Sequence, residues 1–341
     1  MPKSIFRLTH EKEYARAGPE DLVEMESPPG SLPLILPRKK IEIVALAIVE
    51  ARTLHISGPS GSGKSTLIDY LCKVPANFFA ALRGLEIRES RPPQLYCIEM
   101  ATFDSPGELY FRRALREGAT FDEDSILVKA LRDAERRQQD SLPVIWLREL
   151  GRTHAASIQG GLLDLITPNA ITLPDDTQIR VAASWIADSN YQVEEEATHS
   201  LVPFDEALKR RFAYQVTLPW LSAEQEVEVL RRLLARRLSE AQRNRLGEET
   251  VRNVVKLGNV IRARRAESTL ASLVPPTIFN YLAFLELLAR TNWSAWDAAC
   301  VTLIGNVSSR DAKLLPAVFN EAFGLEVDAE VLAESTAGSL F

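Results

Sequence analysis

Gly58-Pro59-Ser60-Gly61-Ser62-Gly63-Lys64-Ser65-Thr66 is the stretch on which the fold turns. It satisfies the phosphate-loop pattern G-x-x-x-x-G-K-[ST] at every fixed position. Residues 52–57 before it read RTLHIS, a short apolar-rich run suited to a buried strand. Residues 65–73 after it read STLIDYLCK, with Leu67, Ile68 and Leu71 at helical spacing. Strand, glycine loop and helix therefore come in the order that a phosphate cradle requires. Glycines let the loop wrap a phosphate chain with backbone N–H groups pointing inward, and the helix start adds the positive end of its dipole. All nine residues, Gly58, Pro59, Ser60, Gly61, Ser62, Gly63, Lys64, Ser65 and Thr66, are candidate nucleotide contacts. Lys64 would reach the β- and γ-phosphates, and the Ser65 hydroxyl would hold Mg²⁺.

The chain has 341 residues, enough for two domains with a sizeable core. Its net charge of −6 argues against generic attraction to nucleic acid or an anionic membrane. Cys72, Cys97 and Cys300 lie far apart with no CxxC spacing, so reduced thiols are expected rather than a disulfide framework or a zinc site. The four histidines show no metal-ligand spacing. The opening MPKSIFRLTHEKEY lacks the apolar core of a secretory leader, and no apolar run approaches membrane-spanning length. A cytoplasmic location is the expectation.

Residues 1–37, ending SPPGSLPLILP, read as an arm or linker. Residues 38–51 read as a helix leading into the phosphate-loop strand. Further buried strands are expected at 94–101 (QLYCIEMA), 143–150 (PVIWLREL), 180–187 and 214–218 (YQVTL). Helices are expected at 105–119, which opens with Ser-Pro-Gly-Glu, and at 124–140, 153–166 and 204–212. Pro174-Asp175-Asp176 lies between two β-like runs, a hairpin signature within 169–180. This alternation predicts a parallel sheet with helices on both faces. From Ser222 onward only helical periods remain. The expected division is therefore an arm (1–37), an α/β nucleotide-binding domain (38–220), an all-α domain (221–322) and a tail (323–341), with the boundary near Pro219-Trp220-Leu221.

What stands after the loop narrows the class. Residues 141–153 read SLPVIWLRELGRT, an apolar run followed by Arg148 and Glu149. Asn190 follows the fourth strand, and ALKRRF (207–212) precedes the fifth. Strand, acid, polar residue, arginine and helical domain in this order resemble an AAA+ ATPase, and in detail its MoxR branch. There the second motif usually reads DEINRA, where this chain has Arg148-Glu149-Leu150-Gly151-Arg152-Thr153. LPDDTQIRV resembles that branch's hairpin insertion, and PFDEALKRRF its arginine-finger segment. The resemblance covers residues 38–290.

The resemblance implies a P-loop NTPase fold with a helical lid, and ATP and Mg²⁺ as cofactors. Glu149 would orient or polarise the attacking water. Asn190 would touch the γ-phosphate or that water, with Ser184 and Asp188 as alternatives for its place. Arg211, with Arg210 as rival, would reach the ATP of a neighbouring subunit, which requires a closed ring, by resemblance a hexamer. The implied activity is ATP-driven remodelling or activation of a partner protein, often one with a von Willebrand factor A domain. Tyr110 and Phe111 could form a client-gripping loop, although aromatics in a helix are more often core. The arginine-rich run 231–265 reads as solvated helix faces and ion pairs in preference to a nucleic-acid footprint.

Two departures bear on turnover. Arg148 stands where the family carries its metal-side Asp, so it must point away, pair with Glu149 or contact phosphate. Pro275-Pro276-Thr277 stands where the lid's Ser-Pro-Arg would be, without the sensor-2 arginine. A non-hydrolysing, nucleotide-gated assembly module is therefore the rival expectation. A small-molecule kinase is poorer, since it leaves the helical domain and arginine segment unexplained.

Overall fold

The run TLHIS folds as a buried strand in the computed structural model, and the glycine loop leaves its carboxyl end. The structure describes residues 21–324 apart from 117, 154–155, 167–169, 191–204, 268, 271 and 306. The first 20 residues of the expected arm, the tail from 325 onward and the start of the arginine segment lie outside the described residues. The chain divides into two units, Met1–Trp220 and Leu221–Phe341.

In the first unit, β1 (Leu22–Met25) and β2 (Leu34–Pro37) form an antiparallel pair. Met25 and Leu36 are buried in the core, so residues 22–37 are a folded part of this unit and not the linker expected there. The elements α1 (Arg38–Val49), β3 (Thr53–Ser57), α2 (Lys64–Lys73), α3 (Pro75–Gly84) and β4 (Pro93–Glu99) follow. Then come the hairpin β5 (Phe111–Arg116) and β6 (Ala119–Asp124), α4 (Ile126–Arg137), β7 (Leu142–Arg148) and α5 (Ala156–Leu165). The short pair β8 (Ile171–Thr172) and β9 (Gln178–Ile179), β10 (Ser184–Ser189), α6 (Glu206–Arg211) and β11 (Tyr214–Thr217) complete the unit. Five strands make one parallel sheet in the order β11-β3-β10-β7-β4. Alternation along β7 sends Val144 and Trp146 to one face and Ile145 and Leu147 to the other. The first face is covered by α1, α2 and α3 through Val44, Ile48, Leu67, Leu71 and Phe78. The second is covered by α4, α5 and α6 through Leu127, Leu131, Leu162 and Leu208.

The helix expected at 105–119 is not formed. A 3₁₀ turn at Pro106–Leu109 leads directly into the β5–β6 hairpin. Gly118, at φ 80, takes the left-handed conformation that a two-residue hairpin loop needs. Arg113 pairs with Asp122 and Arg112 with Glu123 across the strands, so opposite charges face each other. The fourth sheet strand begins at Ser184, four residues later than expected, because 178–179 belong to the hairpin with 171–172.

His55, on β3, is 9% exposed, with its Nε2 2.8 Å from Ser189 Oγ and its ring beside Phe212. Burial, helped by the charge of Lys209, pulls its pKa down to about 4. The unfolded imidazole protonates at about pH 6.5, so His55 favours the unfolded state only below that pH. Its contribution is intact above about pH 6.5 and falls away towards pH 4, a loss approaching ~3 kcal/mol. His55→Gln should flatten this part of the acid limb in denaturant titrations. Equal slopes for the two proteins would refute the assignment.

The second unit is helical: α7 (Ala223–Arg237), α8 (Glu240–Ala266), α9 (Ile278–Arg290), α10 (Ala295–Ala299), α11 (Ser309–Ala312) and α12 (Leu315–Phe323). Ser222/Gln225, Ser239/Gln242 and Thr277/Asn280 form capping boxes at three of the starts. Gly258 lets α8 pass against Tyr281, since a Cβ there would lie 1.6 Å from the phenol oxygen. Cys300–Ile304 continues α10 as a π turn. The arginine-rich faces are occupied within the unit. Arg231 pairs with Glu248, Arg232 with Glu228, Arg237 with Glu286 and Arg264 with Glu321. Arg262 and Glu226 form a buried pair at 2.8 Å, and Arg262 also donates to Pro276 O. Charges committed to their own carboxylates make a poor footprint for a phosphate backbone. No helix among the described residues is long and apolar enough to cross a membrane.

Candidate functional site

The phosphate loop is shaped by close backbone approach. A Cβ on Gly58 would lie 2.1 Å from the Leu218 carbonyl oxygen, so the loop passes the end of β11 only as glycine. Gly61 and Gly63, at φ 79 and 93, are left-handed, a cheap conformation for glycine alone. Gly63 caps α2 without any side-chain hydrogen bond to the first turn. Its leading N–H groups are thus left for an anion. Lys64 is 5% exposed, and its ammonium donates to Gly58 O (2.8 Å), Pro59 O (2.8 Å) and Asn190 Oδ1 (3.0 Å). Ser62 Oγ is buried with no hydrogen-bond partner among the described residues. A cation anchored inside a glycine cradle, uncapped helix N–H groups and an orphan hydroxyl together suit a bound polyphosphate.

The carboxyl edge of the sheet carries the charged groups beside the loop. Asp188 pairs in register with Ile56 of β3, and the preceding Ala187 pairs with Leu147 of β7. Arg148 is paired with Glu99 of β4. Running outward from the phosphate-loop strand, the row is therefore Ile56, Asp188, Arg148, Glu99. Arg148 turns to the outer neighbour. Its Nη1 lies 2.7 Å from Glu99 Oε1, and its guanidinium stands 5.5 Å from the centre of the Trp146 ring. Of the three orientations open to Arg148, it takes the one pointing away, and Glu99 is its partner.

Asp188 is 3% exposed, and its Oδ1 accepts from Trp146 Nε1 (2.7 Å) and from the backbone N–H of Glu149 (3.1 Å). Burial pushes its pKa up, while these two hydrogen bonds and the nearby Lys64 charge oppose the rise. The bond to Asp188 holds Glu149 in a left-handed conformation, φ 55 and ψ 48, that costs a non-glycine residue roughly 1–2 kcal/mol. The Glu149 carboxylate pairs with Arg152 at 3.1 Å. Lys64 and Asn190 are thus in direct contact, and Glu149 joins them through Asp188. Asp188 enters from the sequence only as an alternative to Asn190, and Glu99 does not enter at all. The signal that finds them is strand register, which a single sequence does not display.

Arg210 and Arg211 are exposed at the end of α6. The Arg211 carbonyl accepts from Thr53 Oγ1, at the start of β3, whereas the phosphate loop leaves the other end of that strand. Five residues of strand separate the two edges by about 16 Å. Arg211 lines a groove of about 420 Å³ with Tyr110, Asp164 and Thr172, none of them a phosphate-loop residue. Tyr110 follows the 3₁₀ turn half-buried against the core, and Phe111 opens the hairpin, so neither lies on the helix expected there.

No family model matches the chain, and no curated protein matches it. Among solved structures the chain is similar to a candidate ATPase from Cytophaga hutchinsonii ATCC 33406, at 12% identity, 89% coverage of each chain and a TM-score of 0.37. It is also similar to NtrX from Brucella abortus, at 17% identity over 67% of this chain and 50% of that one, with a TM-score of 0.35. Likenesses this distant leave the chemistry to the site itself. What the chain shows on its own is an α/β fold with a central five-stranded parallel sheet, a phosphate loop at its carboxyl edge and a helical C-terminal unit.

Proposed function

We propose that this chain is an AAA+ ATPase of the MoxR-like kind that binds ATP with Mg²⁺ at residues 58–66 and acts as a homo-oligomeric ring on a partner protein. The observation that carries the reading is Lys64, held in a glycine cradle and hydrogen-bonded to Asn190 at the carboxyl edge of a parallel sheet. In this reading the loop N–H groups and Lys64 hold the phosphates, Ser65 holds the cation, and bound Mg²⁺ supplies charge neutralisation between the phosphates. Asn190 then exchanges Lys64 for the γ-phosphate or the attacking water. Glu149 polarises that water once it leaves Arg152. Arg211, on the opposite sheet edge from its own loop, serves a neighbouring copy. A client protein, with a von Willebrand factor A domain by the same resemblance, completes the proposal.

A second reading has its own support. The Glu149–Arg152 pair occupies the water-polarising carboxylate, and Arg148, turned to Glu99, leaves the end of β7 without a metal-side acid, which together favour a slow or non-hydrolysing switch. Steady-state turnover with and without a client separates the two. The ring is tested independently by light scattering. A non-hydrolysable ATP analogue should raise the mass of the wild-type protein and raise that of Arg211→Ala less. In the ring, the loss of a trans arginine lowers turnover by roughly 10³-fold or more. A monomer at saturating nucleotide contradicts both the ring and the trans role.

A further inference from the structure

The position that carries Arg148 lacks a carboxylate, yet the same face of the sheet is not without one. Trp146 and Ile186 face the core side covered by α2. By strand alternation Arg148 and Asp188, each two residues further on, face the same way. Asp188 stands one strand nearer to β3 and its loop than Arg148 does. Arg148 is drawn outward to Glu99, which leaves the inner position to Asp188. Both hydrogen bonds recorded for Asp188 fall on Oδ1, and Lys64 is close enough to act on its charge. Two neutral donors and the nearby Lys64 charge offset only part of the cost of burying this carboxylate, whose pKa is still pushed up. A hydrated divalent cation on the nucleotide would offset more of it.

We propose that Asp188 is the metal-side carboxylate of this site, supporting the hydration shell of the nucleotide-bound divalent cation from the strand next to the one that carries Arg148. The inference rests on the ATP–Mg²⁺ reading above and adds to it a residue-level relocation: the acid has moved from β7 to β10, and the arginine left behind is neutralised by β4. Asp188 serves the metal while its Oδ1 fixes the Glu149 backbone, so one side chain couples the cation to the water-polarising residue.

The test is calorimetric titration of ATP with excess Mg²⁺ and of ATP in chelator, on the full chain. Asp188→Asn keeps an oxygen for Trp146 and Glu149 and removes only the charge, and its thermal unfolding verifies the fold. It should lower the advantage of Mg²⁺–ATP over metal-free ATP by about tenfold and leave metal-free affinity within about twofold. Arg148→Ala and Glu99→Gln should keep the wild-type advantage. An Asp188→Asn protein with the full Mg²⁺ advantage overturns the inference alone, as does loss of that advantage in Glu99→Gln instead. Wild-type protein that binds ATP with no metal preference overturns the Mg²⁺ part of that reading, and the inference with it. Wild-type protein that binds ATP in neither buffer overturns the ATP reading, and the inference with it.

Discussion

Lys64→Ala is expected to weaken ATP binding by at least about 100-fold while leaving the protein folded. The ammonium is the one buried cation inside the loop, and its acceptors include two loop carbonyls and Asn190. A phosphate oxygen replacing them at about 4 Å would gain ~4 kcal/mol at an effective dielectric of about 20, before screening. Even half of that is a factor of about 30, and the loop contacts organised by the lysine are lost with it. The substitution leaves Gly58 O, Pro59 O and Asn190 Oδ1 without this donor. That costs roughly 1–3 kcal/mol of stability, less than a domain of this size holds. Titration calorimetry beside a thermal melt measures both. Unchanged affinity in a folded variant would remove the site assignment.

Glu149→Gln is expected to lower turnover by about 10²–10⁴-fold with ATP affinity nearly unchanged. Its carboxylate lies at the end of β7, outside the loop, and so contributes to the reaction of the water more than to holding phosphate. The amide can no longer take the water's proton. The lost partner is Arg152, and both side chains are at least one-third exposed, so stability should change by less than about 1 kcal/mol. A variant that loses affinity and turnover together would place Glu149 among the binding groups.

The parts of this architecture legible in the sequence are those fixed by local pattern. The phosphate loop is one, and so are the buried runs of the five sheet strands, whose apolar residues leave no other burial. Pro174-Asp175-Asp176 is another, with Asp176 at φ 63 in the turn. The expectation at 105–119 failed because FRRALRE is rich in helix formers, whereas Gly118 and a register that sets Arg112 opposite Glu123 and Arg113 opposite Asp122 suit a hairpin. For the candidate site, the motif order proposes Lys64, Ser65, Glu149 and Asn190, and the structure brings Lys64 and Asn190 into contact. The partner of Arg148 could not. Glu99 is 49 residues earlier, and only the β4–β7 register brings the two side by side. The clamp of Asp188 on Glu149 is hidden for the same reason, spanning 39 residues between two strands. The placement of Arg211 at the far edge from its own loop likewise depends on how α6 meets the start of β3.

Single-turnover phosphate release tests the central claim most directly. With protein in excess over ATP and Mg²⁺ present, the account predicts that the γ-phosphate is released in a first-order course that Glu149→Gln suppresses and Lys64→Ala abolishes. ATP recovered intact from the wild-type protein after prolonged incubation with and without client, or release that persists unchanged in both variants, would contradict it.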